Sequence, residues 1–312
     1  MKRDFLSLAD LTPEEIERIL ALAADLKQRH QRGEATPLLA GKTLALLFEK
    51  PSLRTRASFD VGMYQLGGHT TIMQEKEVGI GVREPIQDIG RVLSRYYDAV
   101  AIRTFAHTTA VELARAATIP VINALTDLEH PCQILAAFQT LQERFGHLRG
   151  LHVAYVGDGN NVANSWLLGA AQMGLRLTVA CPRDYRPDTA ILHQAEAIAE
   201  TTGATLWVVD DPHQGVKGAD VVYTDVWASM GQEQEATQRR TIFRPYQVDV
   251  TLMAEAAPQA VVMHCLPVHR GEEITDEVFE SPQSLAFDEA EDRLHVQKAL
   301  LVFLLAPEGM PS

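Results

Sequence analysis

Phe48-Glu49-Lys50-Pro51-Ser52-Leu53-Arg54-Thr55-Arg56 is the stretch that decides the fold of the first half of the chain. The apolar run at 42–48 predicts a buried strand, and the pattern over 54–66 predicts a helix. The proline and serine between them are helix start signals. We therefore expect a strand that leads directly into a helix N-terminus.

This junction is also the first candidate binding site. The N–H groups at a helix start and the positive end of the helix dipole attract anions. Arg54 and Arg56 add charge, and the hydroxyls of Ser52 and Thr55 can donate further hydrogen bonds. We expect a phosphate pocket here. The alternative is a solvent-exposed basic helix start with an ordinary serine cap.

Composition limits the class of partner. The 312 residues suffice for two domains of about 150 residues each. The formal net charge of −13, without runs of Lys or Arg, disfavours nucleic acid and anionic membranes as partners. Cys132, Cys181 and Cys265 lie far apart, which predicts neither a disulfide framework nor a zinc ribbon. With no signal-like segment and no apolar run of membrane-spanning length, we expect a soluble cytoplasmic protein.

Two more polar segments follow predicted strands in the first half. The strand predicted at 99–103 ends on Arg103, and open α/β sheets bind ligands at the carboxyl ends of their strands. His130-Pro131-Cys132-Gln133 opens a long predicted helix, and its histidine is either a helix cap or a ligand contact. We expect Arg103 and His130 to lie beside Arg54 at one edge of the sheet.

Periodicity assigns the remaining elements of this half and the end of the chain. Strands are predicted at 69–73 and 120–123. Helices are predicted at 13–30, 86–97 and 111–117, a loop at 75–85, and a last helix at 291–305 that packs on the first domain.

A polar, glycine-containing stretch at 146–150 marks the predicted domain boundary. Beyond it strands alternate with helical segments, which predicts a parallel sheet covered on both faces. The predicted strands are 151–156, 175–180, 205–209, 220–223 and 260–263. We therefore expect an α/β protein of two doubly wound parallel-sheet domains.

Gly157-Asp158-Gly159-Asn160-Asn161 follows a strand and opens a helix, as a dinucleotide-binding motif does. Val162 stands where that motif has its third glycine, which disfavours NAD. The two asparagine amides suit a carboxylate or an amino acid instead.

Two later segments carry further polar groups. Asp225-Val226-Trp227-Ala228-Ser229-Met230-Gly231 offers a carboxylate for an ammonium group, with a helix cap in a loop as the alternative. In His264-Cys265-Leu266-Pro267 neighbouring side chains of a strand point to opposite faces, so we do not expect His264 to be the base for Cys265. His264 and His269 lack the spacing of metal ligands on a helix, and we expect no metal and no cofactor.

Several segments resemble the successive motifs of the carbamoyltransferases, in order and across nearly the whole chain. They are Ser52–Arg56, Arg103, His130–Gln133, Asp158–Asn161, Asp225–Gly231 and His264–Pro267. The Asn160-Asn161, Ser229-Met230-Gly231 and His264-Cys265-Leu266-Pro267 elements are similar to those of the ornithine-specific members. The resemblance implies transfer of the carbamoyl group of carbamoyl phosphate to the δ-amine of L-ornithine, giving L-citrulline and phosphate, as part of arginine biosynthesis or degradation.

The resemblance also implies an organisation. The carbamoyl phosphate domain is expected at 1–148, with 291–312 packing back on it, and the ornithine domain at 149–290. The active site is expected in the cleft between the two domains. The family implies a homotrimer or a larger assembly of trimers.

By the same resemblance, the expected catalytic residues are Arg54, His130 and Cys265. The residues expected to hold carbamoyl phosphate are Ser52, Leu53, Arg54, Thr55, Arg103, His130, Gln133, Cys265, Leu266 and Arg293. Those expected to hold ornithine are Asn161, Asp225, Ser229 and Met230.

Two positions depart from the family pattern. Gly79 stands where many bacterial members place a glutamine on carbamoyl phosphate. Leu53 replaces a threonine of some members, although its backbone N–H can still serve the anion.

Several alternatives stay open at this point. Putrescine, N-acetylornithine and aspartate are other acceptors used by carbamoyltransferases, although the 225–231 element favours an amino acid with a free ammonium group. A ligand-binding protein without catalytic activity is a further alternative. Cys265 and Asp225 are the candidates for steering the amine, and Cys265 either accepts its proton or only orients it.

Overall fold

The structure, a computed structural model, describes residues 2–80, 83–228 and 233–310. The chain divides into two compact units, one formed by Met1–Gln139 with Glu291–Ser312 and the other by Thr140–Ala290. The first of these cuts falls before the domain limit expected at residue 148.

The first unit is built on a four-stranded sheet. Its elements are α1 (Pro13–Gln31), β1 (Thr43–Phe48), α2 (Leu53–Gln65), β2 (His69–Gln74), α3 (Glu75–Val78), α4 (Ile86–Tyr96), β3 (Ala99–Arg103), α5 (His107–Ala116), β4 (Val121–Leu125) and the first part of α6 (Pro131–Phe145). The strands pair in parallel in the order β2-β1-β3-β4. β2 lies on one side of β1, and β3 and β4 lie on the other side. The loops after β1 and β3 therefore meet at the switch point where such sheets bind ligands.

The second unit is built on a five-stranded sheet. Its elements are β5 (His152–Val156), α7 (Asn161–Met173), β6 (Arg176–Ala180), α8 (Thr189–Thr202), β7 (Thr205–Val209), α9 (Pro212–Val216), β8 (Val221–Thr224), α10 (Ala236–Phe243), α11 (Val250–Met253), β9 (Val261–His264), α12 (Asp276–Phe279) and the start of α13 (Ala286–Leu305). These strands also pair in parallel, in the order β7-β6-β5-β8-β9. The switch point lies between β5 and β8. The α/β class and the two parallel sheets are therefore confirmed.

Apolar runs account for the sheets. Leu44 through Leu47 in β1 and all of β5 are buried, as strands covered by helices on both faces must be. The start of α1 shows how local sequence sets a helix: the Thr12 side chain accepts from the Glu15 N–H while the Glu15 carboxylate accepts from the Thr12 N–H.

One predicted loop and two predicted helix boundaries are wrong. The predicted loop at 75–85 contains α3. α5 begins at His107 rather than at 111, because its first turn is polar and its N-cap, Ala106, offers no side-chain cap to signal a start. α13 begins at Ala286 rather than at 291, because the buried Glu289, which accepts from the Tyr223 hydroxyl at 2.8 Å, interrupts the apolar pattern.

The last segment of the chain groups with the first unit through polar contacts. Asp292 on α13 accepts from Lys27 at 2.7 Å, and Lys298 donates to Gln65 at 2.9 Å. Lys298 is fully buried, and this burial lowers its pKa to about 8. Within the described ranges, none of the helices is both long enough and apolar enough to cross a bilayer.

Candidate functional site

The loop after β1 forms a capped helix start at the switch point of the first sheet. Ser52 is the N-cap of α2, and its hydroxyl accepts from the Thr55 N–H at 3.2 Å. Leu53, the first residue of the helix, has its side chain 79% exposed. N–H groups of a first turn have no partner within their own helix, so this end of α2 suits an anion.

Two arginines converge on one hydroxyl beside this helix start. Thr55 is fully buried, and its Oγ1 accepts from Arg293 Nη2 at 2.8 Å and from Arg103 Nη1 at 3.3 Å. Arg103 is the last residue of β3, and Arg293 lies on α13. Both guanidinium groups are buried, so their charge acts with little screening by water.

His130 lies in the field of the same arginines. Its pKa is held well below the usual value by burial and by the charges of Arg293, Arg103 and Arg54. Its imidazole therefore stays neutral at physiological pH and offers a hydrogen bond without adding charge. Gln133, in the first turn of α6, is also buried.

The structure thus brings Arg54, Arg103 and His130 together, but it leaves Arg56 out. Arg56 is exposed whereas Arg54 is half-buried, because residues two apart on a helix point to nearly opposite sides. The third arginine beside His130 is Arg293, from the far end of the chain. Local spacing carries no signal for that residue, and only the family resemblance indicated it.

Lys50 is a structural residue that the sequence analysis missed. It is buried, makes an ion pair with Asp127, and places its Nζ 4.2 Å from the centre of the Phe105 ring. The neighbouring Glu49 N–H donates to the Arg103 carbonyl at 2.8 Å. These contacts tie the loop after β1 to the loops after β3 and β4, and the sequence offered only a lysine two residues beyond the end of an apolar run as a signal for them.

The turn of Gly79 explains one departure from the family pattern. Gly79 has a left-handed φ of 64°, and its carbonyl accepts from the Arg83 N–H at 2.7 Å. A Cβ at this position would lie 2.8 Å from the Arg83 Cβ. A glutamine would therefore require a different turn.

In the second unit, Asn160 organises the switch point. It is the N-cap of α7, where its Oδ1 accepts from the Val162 N–H at 2.9 Å and the Ala163 N–H at 3.3 Å. Its Nδ2 donates to Asp225 Oδ2 at 2.7 Å. The asparagine that follows β5 therefore holds the aspartate that follows β8. Asn161, the first residue of α7, is half-buried.

Gly159 lies where the loop after β6 approaches the turn after β5. Its N–H donates to the Tyr185 carbonyl at 2.9 Å, and a Cβ would lie 2.4 Å from the backbone of Arg186 and Pro187. The glycine thus admits the loop after β6, which packs where a pyrophosphate would approach the turn. Together with Val162, this geometry disfavours NAD.

Asp225 is the hydrogen-bonding centre of this second site. It is buried, and its Oδ1 accepts from the Cys265 thiol at 2.9 Å and from the Val226 N–H at 2.8 Å. With the bond from Asn160 to its Oδ2, its carboxylate is fixed by three donors. Cys265 is buried, and its thiol donates a hydrogen bond to this carboxylate.

His264 supports the turn that carries Cys265. Its Nδ1 accepts from the Leu266 N–H at 2.8 Å, and its Nε2 bonds Glu273 Oε1 at 3.0 Å. Leu266 has a left-handed φ of 58°, a strained conformation for leucine that often occurs at functional sites. Both ring nitrogens of His264 are thus engaged in holding the turn.

The same region contains a group of potential metal ligands that the sequence analysis did not anticipate. One ligand atom each from Asp225, His264 and Cys265 lie within 4.8 Å of one another. A metal would have to displace Glu273 or the Leu266 N–H from the imidazole. The expectation of no metal stays a prediction.

Ser229 and Met230, two of the four residues expected to bind ornithine, lie outside the described residues.

Comparison with known proteins adds the family. A model described as aspartate/ornithine carbamoyltransferase, carbamoyl-P binding domain, matches residues 3–143, and one described as aspartate/ornithine carbamoyltransferase, Asp/Orn binding domain, matches residues 149–304. The chain belongs to the aspartate/ornithine carbamoyltransferase family.

Relatives within the family match over their whole length. The chain is 53% identical to the ornithine carbamoyltransferase of Anoxybacillus flavithermus, covering 97% of this chain and 96% of that protein. It is also 53% identical to that of Methanoculleus marisnigri, over 100% and 99% of the two chains. Among solved structures, the ornithine carbamoyltransferase of Pyrococcus furiosus matches with a TM-score of 0.95 at 48% identity, over 99% of this chain and 98% of that one.

Proposed function

We propose that this protein transfers the carbamoyl group of carbamoyl phosphate to the δ-amine of L-ornithine, giving L-citrulline and phosphate. The observation that carries the proposal is the buried cluster of Thr55, Arg103, His130 and Arg293 in the first unit. Buried guanidinium groups beside a capped helix start form a site of positive potential that suits a phosphate group. The full-length similarity to ornithine carbamoyltransferases supports the same reaction.

The first unit, with the domain limits expected at 1–148 and 291–312, is the proposed site of carbamoyl phosphate. Ser52, Leu53 and Thr55 lie at the start of α2, where the helix dipole favours an anion, and Arg103 and Arg293 offer guanidinium forks that fit phosphate oxygens. Gln133 is the proposed contact for the carbamoyl amide. Leu266 is proposed to complete the carbamoyl phosphate site, whereas Cys265 is proposed to serve the ornithine amine.

The chemistry follows from charge development. When the amine attacks the carbonyl carbon, negative charge grows on the carbonyl oxygen and on the departing phosphate. Arg54 and the neutral His130 are proposed to donate to the oxygen, while Arg103 and Arg293 stabilise the phosphate. Donors fixed in advance in this way are each worth about 3–4 kcal/mol of transition-state stabilisation when removed singly.

The second unit, with limits expected at 149–290, is the proposed site of ornithine. Asp225 is the proposed partner of an ornithine ammonium group, and Asn161, Ser229 and Met230 are proposed to hold the rest of the amino acid. The δ-amine of free ornithine is protonated at neutral pH, as a lysine amine is, so it must lose a proton before it attacks. Since the Cys265 thiol donates to Asp225, we propose that Cys265 orients the amine and that the carboxylate draws the proton.

We also propose that the working form is a homotrimer or a larger assembly of trimers. An apolar stripe on the exposed face of α2 supports the association of copies. Leu53 is 79%, Val61 42% and Tyr64 80% exposed, and their spacing places them on one side of the helix. Size-exclusion chromatography with light scattering measures the mass of the protein in solution. A monomeric mass would contradict the proposal.

The proposed setting is arginine biosynthesis in the cytoplasm. Three cysteines that are all free and buried suit a reducing compartment. Complementation of an arginine auxotroph that lacks this step tests the setting, and the Arg54→Gly variant is the matched negative control.

A colorimetric carbamoyl-transfer assay tests the reaction itself. Purified protein is incubated with carbamoyl phosphate and, in turn, ornithine, putrescine, N-acetylornithine or aspartate. We expect citrulline from ornithine, with a kcat/KM about a hundredfold or more above that of the other acceptors, because these lack either the δ-amine or the free α-ammonium group. A higher kcat/KM with another acceptor would make that acceptor the substrate. If no acceptor gave a product, the protein would be a ligand-binding protein without catalytic activity.

A further inference from the structure

Arg239 on α10 joins three loops of the second unit. Its Nη1 donates to Asp158 Oδ2 at 2.8 Å and to the Trp227 carbonyl at 2.9 Å, and its Nε donates to Glu235 at 3.1 Å. The guanidinium carbon lies 4.9 Å from the centre of the Tyr185 ring. Arg239 is itself only 6% exposed. Such a planar group, bonded at its edge and stacked on its face, has one orientation.

The three loops follow the three adjacent strands at the switch point. Asp158 follows β5, Tyr185 follows β6, and Trp227 follows β8, two residues after Asp225. Arg239 therefore fixes the backbone of the segment that carries Asp225, while Asn160 and Cys265 fix its carboxylate. No other part of the proposed mechanism uses this arginine.

Arg239 also separates the roles of two carboxylates. Asp158 is buried, and burial together with the neighbouring charges of Asp225 and Glu235 raises its pKa to about 6 against the attraction of Arg239. With Arg239 bonded to it, Asp158 is neutralised locally. Asp225 is then the carboxylate left to meet a ligand cation.

We infer that Arg239 is a positioning residue for the amino-acid acceptor: it holds the Asp225–Trp227 segment in place. The inference rests on the proposed function, since it assigns Arg239 to the ornithine side of that reaction. It predicts a selective defect in which the KM for ornithine rises while the KM for carbamoyl phosphate does not.

The test compares Arg239→Met with Arg240→Met. Arg240 is the next residue of the same helix, and its exposed side chain pairs with Glu272 at 2.8 Å. We expect Arg239→Met to raise the KM for ornithine about tenfold, the loss expected for one hydrogen bond to a charged donor, with the KM for carbamoyl phosphate within about twofold. Arg240→Met should leave both constants unchanged. An unchanged KM for ornithine in Arg239→Met overturns the inference.

Two further variants separate positioning from simple stability. Arg239→Met leaves Asp158 buried without its cation and lowers the melting temperature, whereas Asp158→Asn/Arg239→Met removes that charge and restores the temperature. We expect the double variant to keep the raised KM for ornithine, since the bond to Trp227 is still missing. Recovery of that KM along with the melting temperature overturns the inference. Arg239→Lys, which keeps the charge but not the fork, should give an intermediate KM even where Arg239→Met folds poorly.

The wild-type assay keeps the two proposals apart. Citrulline formation by the wild type with unaltered ornithine kinetics in every Arg239 variant removes only the role of Arg239. Absence of citrulline from the wild type removes the proposed function itself.

Discussion

The switch points of the two sheets have the same backbone design and opposite electrostatics. In each unit the chain leaves a central strand in both directions, and a capped helix starts after that strand. In the first unit the helix start is surrounded by Arg54, Arg103 and Arg293 with a neutral histidine. In the second unit the helix start is capped by Asn160, whose amide donates to the buried Asp225. Asp225 also accepts a hydrogen bond from the Cys265 thiol. One topology thus carries both the proposed anion site and the proposed cation site.

The difference shows that a helix N-terminus does not by itself define an anion site. The end of α2 has only the Ser52 hydroxyl as cap, and arginines add to its positive potential. At the end of α7 the Asn160 side chain takes up two N–H groups, and the loop at Tyr185 packs over Gly159. The side chains that follow the strands therefore decide the ligand, and the following substitutions test that view.

The largest expected effect is on Arg54. Arg54→Gly should lower kcat/KM by about a thousandfold or more, because it removes a charged donor from the transition state. The fold should persist, since a helix-start arginine that serves a ligand is not part of a core. Arg56→Gly is the matched control, with the same glycine cost two residues along α2 but an exposed side chain. Equal loss in both variants would mean that the helix start, not the arginine, matters.

Asp225→Asn tests the proposed cation site of the second unit. It keeps the shape of the side chain but removes the charge proposed to meet the ornithine ammonium group. We expect kcat/KM for ornithine to fall about a hundredfold, while carbamoyl phosphate still binds with normal affinity. Steady-state kinetics measure kcat/KM for ornithine, and isothermal titration measures the affinity for carbamoyl phosphate. Weakened binding of carbamoyl phosphate alone would reverse the assignment of the two sites.

Cys265→Ala should have a smaller effect in the same direction. It removes one of the three donors to Asp225, so we expect about tenfold lower turnover and a raised KM for ornithine. Carbamoyl phosphate binding should stay near normal. Cys181→Ala is the control, because Cys181 is a buried cysteine of the same unit whose pKa burial raises to about 12, so it is inert. Unchanged ornithine kinetics in Cys265→Ala would remove that thiol from the mechanism.

Gly159→Ala tests the packing that distinguishes the second helix start. The added methyl group would lie 2.4 Å from the backbone of the loop after β6, so backbone must move. We expect a loss of about 1–3 kcal/mol in the free energy of unfolding, measured by urea denaturation. Gly203→Ala measures the separate cost of a left-handed backbone, because Gly203 has a φ of 77° and, among the described residues, no atom beyond its chain neighbours lies within 4 Å of the added methyl group. Wild-type stability in Gly159→Ala would show that the loop does not press on this turn.

The smallest effect concerns pH. Because the pKa of His130 is lower in the folded protein than in the unfolded chain, the unfolded chain binds the extra proton as the pH falls below about 6.5. This histidine therefore subtracts stability in acid. His130→Gln should lose less free energy of unfolding than the wild type between pH 7 and pH 5. His193→Gln, at an exposed position, should follow the wild type, and identical slopes for all three proteins would contradict the lowered pKa of His130.

Prediction from sequence succeeded where the signal is local. Each strand core was found within one or two residues, and the residues that end β1, β3, β5, β8 and β9 were singled out because polar groups at the end of an apolar run are conspicuous. Prediction failed where the role of a residue depends on tertiary contacts that leave no pattern in the local sequence. Arg56 resembled Arg54 in the printed sequence but points away, and Lys50, Glu273 and Arg239 gained their roles only through partners distant in the chain.

The sequence by itself determined the class of fold, the order of the strand-and-helix units, and the residue types available at each strand end, because periodicity, caps and turn residues act over a few positions. Only the tertiary structure decided which of those residues meet. It placed Arg293 against Thr55 and Asp225 between Asn160 and Cys265, and it covered Gly159 with a neighbouring loop. The reason is physical: the charge and hydrogen bonding of a buried site depend on groups brought together through space, and separation along the chain carries no record of that approach.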